Sequence, residues 1–337
     1  MREAQYYQKL DQEKVQCLLC PHRCIIYPNK RGLCGVRENK EGILETLIYG
    51  KVSSIALDPI EKKPLYHFYP GSSILSVGTA GCNFKCLFCQ NWSISQVLPE
   101  EIYLEEINPE TLVNIALKNK SIGIAYTYNE PFIWYEYVYD VSKLAKEYNL
   151  KNVLVTNGFV EEDPFLEIAP YIDAMNIDIK SINPDFYRKL CKGDLEKVKR
   201  IIVLAFEKGI HIELTNLIIT NYNDKQEEII KLIEWVAEIS KDIPLHFTRY
   251  FPAYKFIEPP TPIEIINFAY EEGRKRLNYV YTGNVWDVRG STTYCPSCGS
   301  ELIVREGYFI RKNLLRQNNK CPYCGYELPI YVGGNLS

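Results

Sequence analysis

The sequence lacks an apolar run long enough to cross a bilayer, and its first stretch, MREAQYYQKLDQEKVQ, is predominantly polar. It also lacks an excess of either charge, because 39 basic and 42 acidic residues are well mixed and give a net charge of -3 at pH 7. The first absence argues against a membrane-spanning helix. The second removes the usual signature of a nucleic-acid or membrane-surface partner. We therefore expect a cytoplasmic protein with no membrane partner, and nucleic acid is not indicated.

Cysteine is abundant, with twelve residues in 337. Disulfides are the default only for exported proteins, so we expect most of these thiols to bind metal. Eleven fall into three groups, and Cys191 stands alone. The groups are Cys17, Cys20, Cys24 and Cys34; Cys82, Cys86 and Cys89; and Cys295, Cys298, Cys321 and Cys324. They predict a cysteine-rich amino-terminal module over 1–70, a catalytic core over 71–290 and a small carboxy-terminal module over 291–337.

Within the core, short apolar runs alternate with longer stretches of helical period, a pattern typical of repeated βα units around a parallel sheet. We predict strands at 73–80, 123–128, 152–157, 174–179, 211–219, 245–251 and 279–283. Helical patterns include 108–120, 196–209 and 224–240, the last capped by Asn223 or Asp224. The sequence thus predicts an α/β fold, a partial or full (β/α) barrel, with an open doubly wound sheet as the alternative. In either fold the chemistry lies on loops after the strands.

The middle group has the spacing Cys-x3-Cys-x2-Cys directly after a predicted strand. Three thiolates can bind three corners of a cubane iron–sulfur cluster, which usually takes four. No fourth cysteine stands nearby in sequence, so one iron would keep an open position for a small molecule. The alternatives are cysteines that pack as small hydrophobes and a zinc site completed by a distant histidine, namely His22, His67, His211 or His246.

With the aromatic Phe88 directly before the last cysteine, this motif resembles that of the radical S-adenosylmethionine (SAM) superfamily. The resemblance implies a [4Fe-4S] cluster that reductively cleaves SAM to methionine and a 5'-deoxyadenosyl radical, which abstracts hydrogen from a substrate that the sequence does not identify. Within that superfamily the chain is similar to the radical enzyme of AmmeMemoRadiSam systems, a group that also resembles pyruvate formate-lyase activating enzymes. The segments that carry the similarity are DPIEKKPLYHFYPG, GTAGCNFKCLFCQNW, TYNEP, VTNG, NIDIK, HFTRYFP and YTGNV.

The resemblance also implies cofactor-binding roles. The segment TYNEP, with Tyr128, Asn129 and Glu130, occupies the place of the family's glycine-glycine-glutamate segment but lacks its glycines. Glu130 is the expected acceptor for the methionine ammonium group, and Phe88 is expected near adenine. Four further residues fall where relatives bind the methionine carboxylate and ribose: Thr156, Asn157, Asp178 and Lys180. For Asp178 and Lys180 the alternative is that they are merely polar strand ends facing solvent.

The amino-terminal and carboxy-terminal cysteine groups predict metal sites in which protein ligands fill every coordination position. Each carboxy-terminal Cys-x2-Cys is followed by a glycine that permits a tight turn, as in a four-cysteine zinc ribbon. An iron site of rubredoxin type has the same ligands. The amino-terminal group, CLLCPHRC followed by RGLCGVR, fits zinc or a second iron–sulfur cluster, with His22 able to replace one cysteine; unbound thiols are the remaining alternative.

Three functions follow from these features. The leading one is a radical SAM enzyme of an AmmeMemoRadiSam-type system, which implies AMMECR-type and Memo-like partner proteins and a low-potential electron donor such as ferredoxin or flavodoxin. The second is an activase of a glycyl radical enzyme. The third, of another class, is a non-catalytic metal-binding adaptor, which would make no 5'-deoxyadenosine.

Overall fold

The computed structural model describes residues 2–315 and 318–332. The chain begins with short strands paired in small antiparallel sheets. Their bounds are β1 (Arg2–Glu3), β2 (Tyr7–Lys9), β3 (Val15–Cys17), β4 (Ile25–Ile26), β5 (Arg37–Lys40), β6 (Ile43–Thr46) and β7 (Lys51–Val52). One sheet has the order β1-β6-β5 and another the order β2-β3-β4. The main apolar core is continuous from Val15 and Ile26 of this segment into the centre of the molecule.

Nine strands follow in the chain, and eight of them build the central sheet. They are β8 (Ser54–Pro59), β9 (Ser73–Gly78), β10 (Glu105–Glu106), β11 (Gly123–Tyr126), β12 (Lys151–Thr156), β13 (Ala174–Asp178), β14 (His211–Ile218), β15 (Leu245–Arg249) and β16 (Val280–Gly283). All except β10, which pairs with β7, form one sheet in the order β16-β15-β14-β13-β12-β11-β9-β8. Strand β8 is antiparallel to β9, and the other neighbours are parallel. Every residue of β11 is buried, as expected for a parallel strand covered on both faces.

Helices connect successive parallel strands, and a last short helix follows β16. Their bounds are α1 (Trp92–Ser95), α2 (Pro109–Lys118), α3 (Tyr135–Glu147), α4 (Glu162–Ile168), α5 (Pro184–Phe186), α6 (Leu195–Glu207), α7 (Gln226–Ile239), α8 (Ile263–Arg274) and α9 (Val288–Ser291). The strand order follows the chain without a reversal, whereas a doubly wound sheet requires one. Within the described residues no ladder joins β8 to β16, so the sheet is open. The α/β prediction is confirmed, with a singly wound and unclosed sheet.

The seven predicted strands and three predicted helices all exist, with shifted ends. The predicted cap of α7 is wrong, because the helix begins after Lys225, whose side chain makes no capping hydrogen bond. Asn223 Oδ1 instead accepts the amide of Ile219, and Asp224 Oδ2 accepts that of Asn221. These two side chains stabilise the turn before the helix, and sequence alone does not distinguish such a turn from a cap.

The carboxy-terminal segment forms a three-stranded antiparallel sheet from β17 (Thr293–Tyr294), β18 (Glu301–Glu306) and β19 (Phe309–Asn313). Arg305 of β18 is fully buried, donates to the carbonyl oxygen of Tyr66 at 2.7 Å, and lies 3.7 Å from a carboxylate oxygen of Glu61. The sheet is thus attached to the segment between β8 and β9. The boundaries at residues 70 and 290 remain predictions. In the described part of the chain, no helix combines the length and apolarity needed to span a membrane.

Candidate active site

A cavity of about 510 Å³ lies at the carboxyl ends of the parallel strands. All eleven residues predicted for the core site line it, although they come from four separate segments of sequence. They are Cys82, Cys86, Phe88, Cys89, Tyr128, Asn129, Glu130, Thr156, Asn157, Asp178 and Lys180. A cavity of this size suits a small organic cofactor. The structure thus brings the predicted core site together at the edge where parallel sheets carry their chemistry.

The three-cysteine loop follows β9 and is held on both sides. At Gly81, where φ is +86°, a Cβ atom would lie 2.7 Å from the carbonyl oxygen of Cys34, so only glycine allows this close approach. On the other side, the amide of Lys85 donates to the carbonyl oxygen of Cys191 at 2.8 Å. Cys82 and Cys86 are buried. Burial is the largest cause raising the pKa of Cys82, so ionisation of this thiol requires a cation such as iron nearby.

Cys191, which stands alone in sequence, lies against this loop at the end of a π-helical turn, Tyr187–Cys191. Its thiol, followed by burial, raises the pKa of Cys86. The expectation of no nearby fourth cysteine therefore holds for the sequence but not in space. A cubane cluster binds each cysteine through a different iron and spreads the sulfurs apart. Cys191 is thus a buried neighbour of the predicted ligand Cys86.

Glu130 is fully buried at the end of β11 and accepts three hydrogen bonds. Its Oε1 accepts from the amide of Phe132 at 3.0 Å and from Thr156 Oγ1 at 2.8 Å. Its Oε2 accepts from the amide of Asn157 at 2.8 Å. An ionised carboxylate has about four acceptor sites, so one remains toward the cavity. Burial raises the pKa of Glu130 to about 7, and a neighbouring ammonium group would favour the charged form.

Asn157 connects the strand ends to the cysteine loop. Its Nδ2 donates to Asn83 Oδ1 at 2.9 Å and lies 3.8 Å from Cys82 Sγ. The preceding Thr156 both donates to Glu130 and accepts the amide of Gly158 at 3.0 Å. These two side chains therefore position the loop and Glu130 relative to each other.

Asp178 and Lys180 follow β13 and form an ion pair, with 2.8 Å between Lys180 Nζ and Asp178 Oδ2. Burial acts to lower the pKa of Lys180, but Asp178 together with the nearby thiols of Cys86 and Cys191 outweighs it, and the pKa is raised. Phe88 is buried and packs against Phe186 and Phe256, with ring centroids 5.7 and 5.9 Å apart. The Asp178–Lys180 ion pair thus presents one negative and one positive group to a bound molecule, and Phe88 presents an apolar surface.

Tyr128 and Asn129 hold the turn after β11. Asn129 Oδ1 accepts the amide of Thr79 at 3.2 Å and its Nδ2 donates to the carbonyl oxygen of Gly81 at 2.8 Å. Tyr128 has a positive φ of 73°, uncommon for a bulky residue. Asn129 thereby fixes the start of the cysteine loop.

Two lysines in the cavity wall were missed by the sequence reasoning. Lys62 and Lys63 each donate to Asp58, at 2.9 and 2.7 Å, and the Tyr128 hydroxyl donates to the same carboxylate at 2.8 Å. These bonds outweigh the burial that would raise the pKa of Asp58, which is held well below its usual range. The segment DPIEKKP was singled out only for its resemblance, and nothing in its pattern indicates that it returns to the strand ends.

The two flanking cysteine groups lie outside this cavity. The carboxy-terminal four have ligand atoms that all lie within 4.8 Å of one another. Two of the sulfur–sulfur distances are 3.6 Å, between Cys295 and Cys324, and 3.7 Å, between Cys298 and Cys321. A tetrahedral zinc ion with bonds of about 2.3 Å spaces its sulfurs about 3.8 Å apart, so these residues fit such an ion. Gly299 and Gly325 adopt positive φ, as the predicted turns require.

The comparisons with known proteins agree with this geometry. A family model described as "Radical SAM superfamily" matches residues 76–236. An uncharacterized protein of Methanocaldococcus jannaschii, MJ0808, is 48% identical over 341 residues, which cover 98% of this chain and 100% of that protein. The chain belongs to the radical SAM superfamily. It is therefore an enzyme of a superfamily whose members include cyclases and activating enzymes.

More distant radical SAM proteins are also similar to this chain. The pyruvate formate-lyase-activating enzyme of Streptococcus mutans is 22% identical over 228 residues, which cover 59% of this chain and 87% of that enzyme. The crystal structure of Streptococcus suis SuiB bound to S-adenosylmethionine superposes with a TM-score of 0.51 and 14% identity. That match covers 67% of this chain and 53% of SuiB, so this chain spans about half the length of SuiB. This likeness shows the radical SAM α/β fold.

The residues of the cavity fit the two cofactors that the radical SAM family implies. The three thiols of the cysteine loop line the cavity, and the amide of Phe84 donates to Cys82 Sγ at 3.3 Å. The carboxylate of Glu130 and the ion pair of Asp178 and Lys180 line the same cavity. These charges are complementary to an amino acid joined to a ribose.

Proposed function

We propose that this protein is a radical SAM enzyme in which Cys82, Cys86 and Cys89 hold a [4Fe-4S] cluster and the remaining cavity binds SAM. The observation that carries the proposal is that the three thiols and all eight predicted cofactor-binding residues line one cavity. When bound, this pair of cofactors supplies one-electron cleavage of SAM to methionine and a 5'-deoxyadenosyl radical for hydrogen abstraction. The substrate class is not fixed by these residues.

Each part of the cavity has a proposed task. Glu130 accepts a hydrogen bond from the methionine ammonium group through its remaining acceptor site, a charge-assisted bond that fixes the cofactor's orientation. Asp178 and Lys180 exchange their ion pair for bonds to the ribose hydroxyls and the methionine carboxylate, supported by Thr156 and Asn157. Phe88 contacts the adenine. Tyr128 and Asn129 hold the backbone that shapes this wall.

The finer assignment is a radical enzyme of an AmmeMemoRadiSam-type system with AMMECR-type and Memo-like partners. Its support is the set of sequence segments that resemble that group, including TYNEP and NIDIK, both of which line the cavity. A glycyl radical activase is the second candidate, favoured by the similarity to the activating enzyme of S. mutans. Both functions need a low-potential electron donor such as ferredoxin or flavodoxin, and both are compatible with a cytoplasmic location.

We further propose that Cys295, Cys298, Cys321 and Cys324 bind zinc in a ribbon. The support is their spacing and their two glycine turns. All four positions around the ion would be filled by thiolates, which leaves none for chemistry. The ribbon's task is to stabilise the sheet that contacts Tyr66.

The function is tested by anaerobic incubation of reduced protein with labelled SAM, with 5'-deoxyadenosine as the product measured. We expect the native protein to form it and the triple variant Cys82→Ala/Cys86→Ala/Cys89→Ala to form none. A metal-binding adaptor would form none in either case. A triple variant as active as the native protein would remove the cysteine loop from the mechanism.

A further inference from the structure

The four amino-terminal thiols surround a cavity of their own. Cys17, Cys20, Cys24 and Cys34 line it together with His22 and the guanidinium of Arg37, apart from the cavity that holds the three-cysteine loop. They come from β3, from the turn that follows it, and from the loop before β5. Four cysteines around one cavity can supply all four ligands of a metal ion or cluster, with no ligand from outside the protein.

The spacing of these sulfurs differs from that of the carboxy-terminal four. In the described ranges, 2–315 and 318–332, no three of the amino-terminal thiols lie mutually within 4.8 Å, whereas all four of the carboxy-terminal ones do. A single ion draws its ligand sulfurs to about 3.8 Å from one another. A cubane cluster binds each sulfur through a different iron, so the sulfurs stand farther apart around a larger space. Within the described residues, the carboxy-terminal set is thus at single-ion spacing and the amino-terminal set is not.

The surroundings of the four amino-terminal thiols suit an anionic cluster. Arg37 is fully buried, is paired with Glu136, and places Nη1 3.9 Å from Cys17 Sγ. Hydrogen bonds to cluster sulfurs and burial are the means by which proteins set the reduction potential of such clusters.

His22 is not free to replace a cysteine through Nε2. That nitrogen lies 2.8 Å from the carbonyl oxygen of Asn83, and because a carbonyl only accepts, His22 donates its Nε2 proton. The bond instead joins the amino-terminal module to the three-cysteine loop. Nδ1 of His22 keeps a lone pair in this tautomer, but the four cysteines supply a complete ligand set without it.

The two cysteine sites adjoin each other directly. Asn83, which His22 contacts, is the residue after Cys82, and its side chain accepts from Asn157 at 2.9 Å. The carbonyl of Cys34 lies against Gly81, the residue before Cys82. One hydrogen-bonded route, from His22 to Asn83, and one non-bonded contact, between Cys34 and Gly81, thus lead from the amino-terminal thiols to Cys82 through a few residues.

We propose that Cys17, Cys20, Cys24 and Cys34 hold a second, fully ligated [4Fe-4S] cluster that passes electrons to the cluster of the three-cysteine loop. In each transfer the second cluster is oxidised by one electron and the loop cluster is reduced by one, with no bond formed or broken. A low-potential protein donor of the ferredoxin or flavodoxin class restores the second cluster. That the cluster of the three-cysteine loop accepts the electron rests on the proposed function. The assignment of the four amino-terminal cysteines as ligands does not.

The experiment uses full-length protein reconstituted anaerobically with iron and sulfide. Iron, zinc and the electron paramagnetic resonance spectrum of the reduced protein are measured in three forms. These are the native chain, a loop variant with Cys82, Cys86 and Cys89 replaced by Ser, and a module variant with Cys17, Cys20, Cys24 and Cys34 replaced by Ser. Zinc in the carboxy-terminal ribbon and the circular dichroism spectrum report whether each variant is folded.

We expect about eight irons in the native protein and about four in each variant, since each cubane contains four. SAM should change the spectrum of the module variant but not that of the loop variant. The reduced native protein should show magnetic broadening that neither variant shows, because the two clusters adjoin. Native protein with about four irons, or with a second zinc in place of the missing iron, would overturn the inference without requiring any variant to fold. If the loop variant keeps about four irons while SAM leaves the spectrum of the native protein unchanged, the second cluster is upheld and the proposed function is rejected.

Discussion

Glu130 Oε2 accepts the backbone amide of Asn157 at 2.8 Å, which joins the end of β11 to the end of β12 at the wall of the cavity. The same carboxylate accepts from Phe132 and Thr156, so Glu130 is both a structural acceptor and the proposed acceptor for the SAM ammonium group. A substitution at this position therefore affects both folding and cofactor binding, and the two effects have to be measured separately.

Glu130→Gln should weaken SAM binding by about 10- to 100-fold, because a charge-assisted hydrogen bond contributes about 1.5–3 kcal/mol. It should also lower the free energy of unfolding. The carboxylate accepts three hydrogen bonds in the native protein, and the glutamine NH2 group would face one of those three donors. Titration of reduced protein with SAM measures the affinity, and denaturant unfolding measures the stability. Glu213→Gln is the matched control, because Glu213 is also a buried carboxylate that accepts backbone amides but does not line the cavity. Equal losses of affinity in the two variants would assign Glu130 a structural role only.

Zinc should remain bound after air has destroyed the iron–sulfur clusters, because zinc has no redox chemistry and its four thiolate ligands leave no open position. Metal analysis of air-oxidised protein should find about one zinc per chain. Cys298→Ser should lower this value, whereas Cys191→Ser, which changes a cysteine outside the ribbon, should not. Oxidised native protein without zinc would refute the ribbon assignment.

Arg305→Met should destabilise the protein by about 3–5 kcal/mol, because it leaves Glu61 buried without its cation. The double variant Arg305→Met/Glu61→Gln should recover part of that loss. Arg311→Met is the control, since Arg311 and its partner Glu306 are both exposed and such pairs contribute at most about 1 kcal/mol. Denaturant unfolding of the four proteins gives the comparison. Similar losses for Arg305 and Arg311 would show that the buried pair does not anchor the carboxy-terminal sheet.

Stability should fall as the pH is lowered from about 6.5 toward 4.5, in part because of His67. Burial lowers the pKa of His67 to about 3, so the folded protein keeps this ring neutral while the unfolded chain protonates it below about 6.5. The unfolded state then binds more protons, and each pH unit costs up to about 1.4 kcal/mol. Burial also lowers the pKa of His22, which adds to the slope. Unfolding free energies at pH 6.5 and 5 should differ less in His67→Gln than in the native protein, and an unchanged difference would contradict the assignment.

The sequence was sufficient to predict the strands, because each parallel strand is a short apolar run. Glu130, Asn157 and Asp178, which lie at or after the ends of three of these strands, were predicted from the resemblance to the radical SAM superfamily. Asp58, Lys63 and Cys191 were not placed at the site, because their contacts depend on how a distant segment returns to the strand ends. No local pattern carries that information, and only the tertiary structure supplies it.

The pairing of β8 with β9 was also missed. Its residues, Ser54–Pro59, fall in the predicted amino-terminal module, yet they extend the central sheet by an antiparallel edge strand. Three of the six, Ile55, Ala56 and Leu57, are exposed, so the strand lacks the alternation of buried and exposed residues that predicts a half-buried strand. Pairing along the edge of β9 holds it in place.

The central claim is that the cluster held by Cys82, Cys86 and Cys89 binds SAM directly at its open iron. Electron–nuclear double resonance of the reduced protein with SAM labelled by ¹³C at the carboxylate and ¹⁵N at the amino group tests that contact. We predict hyperfine couplings to both labels in the native protein and in the variant that lacks the four amino-terminal cysteines. Native protein with an intact reduced cluster and saturating SAM, but without coupling to either label, would contradict the claim.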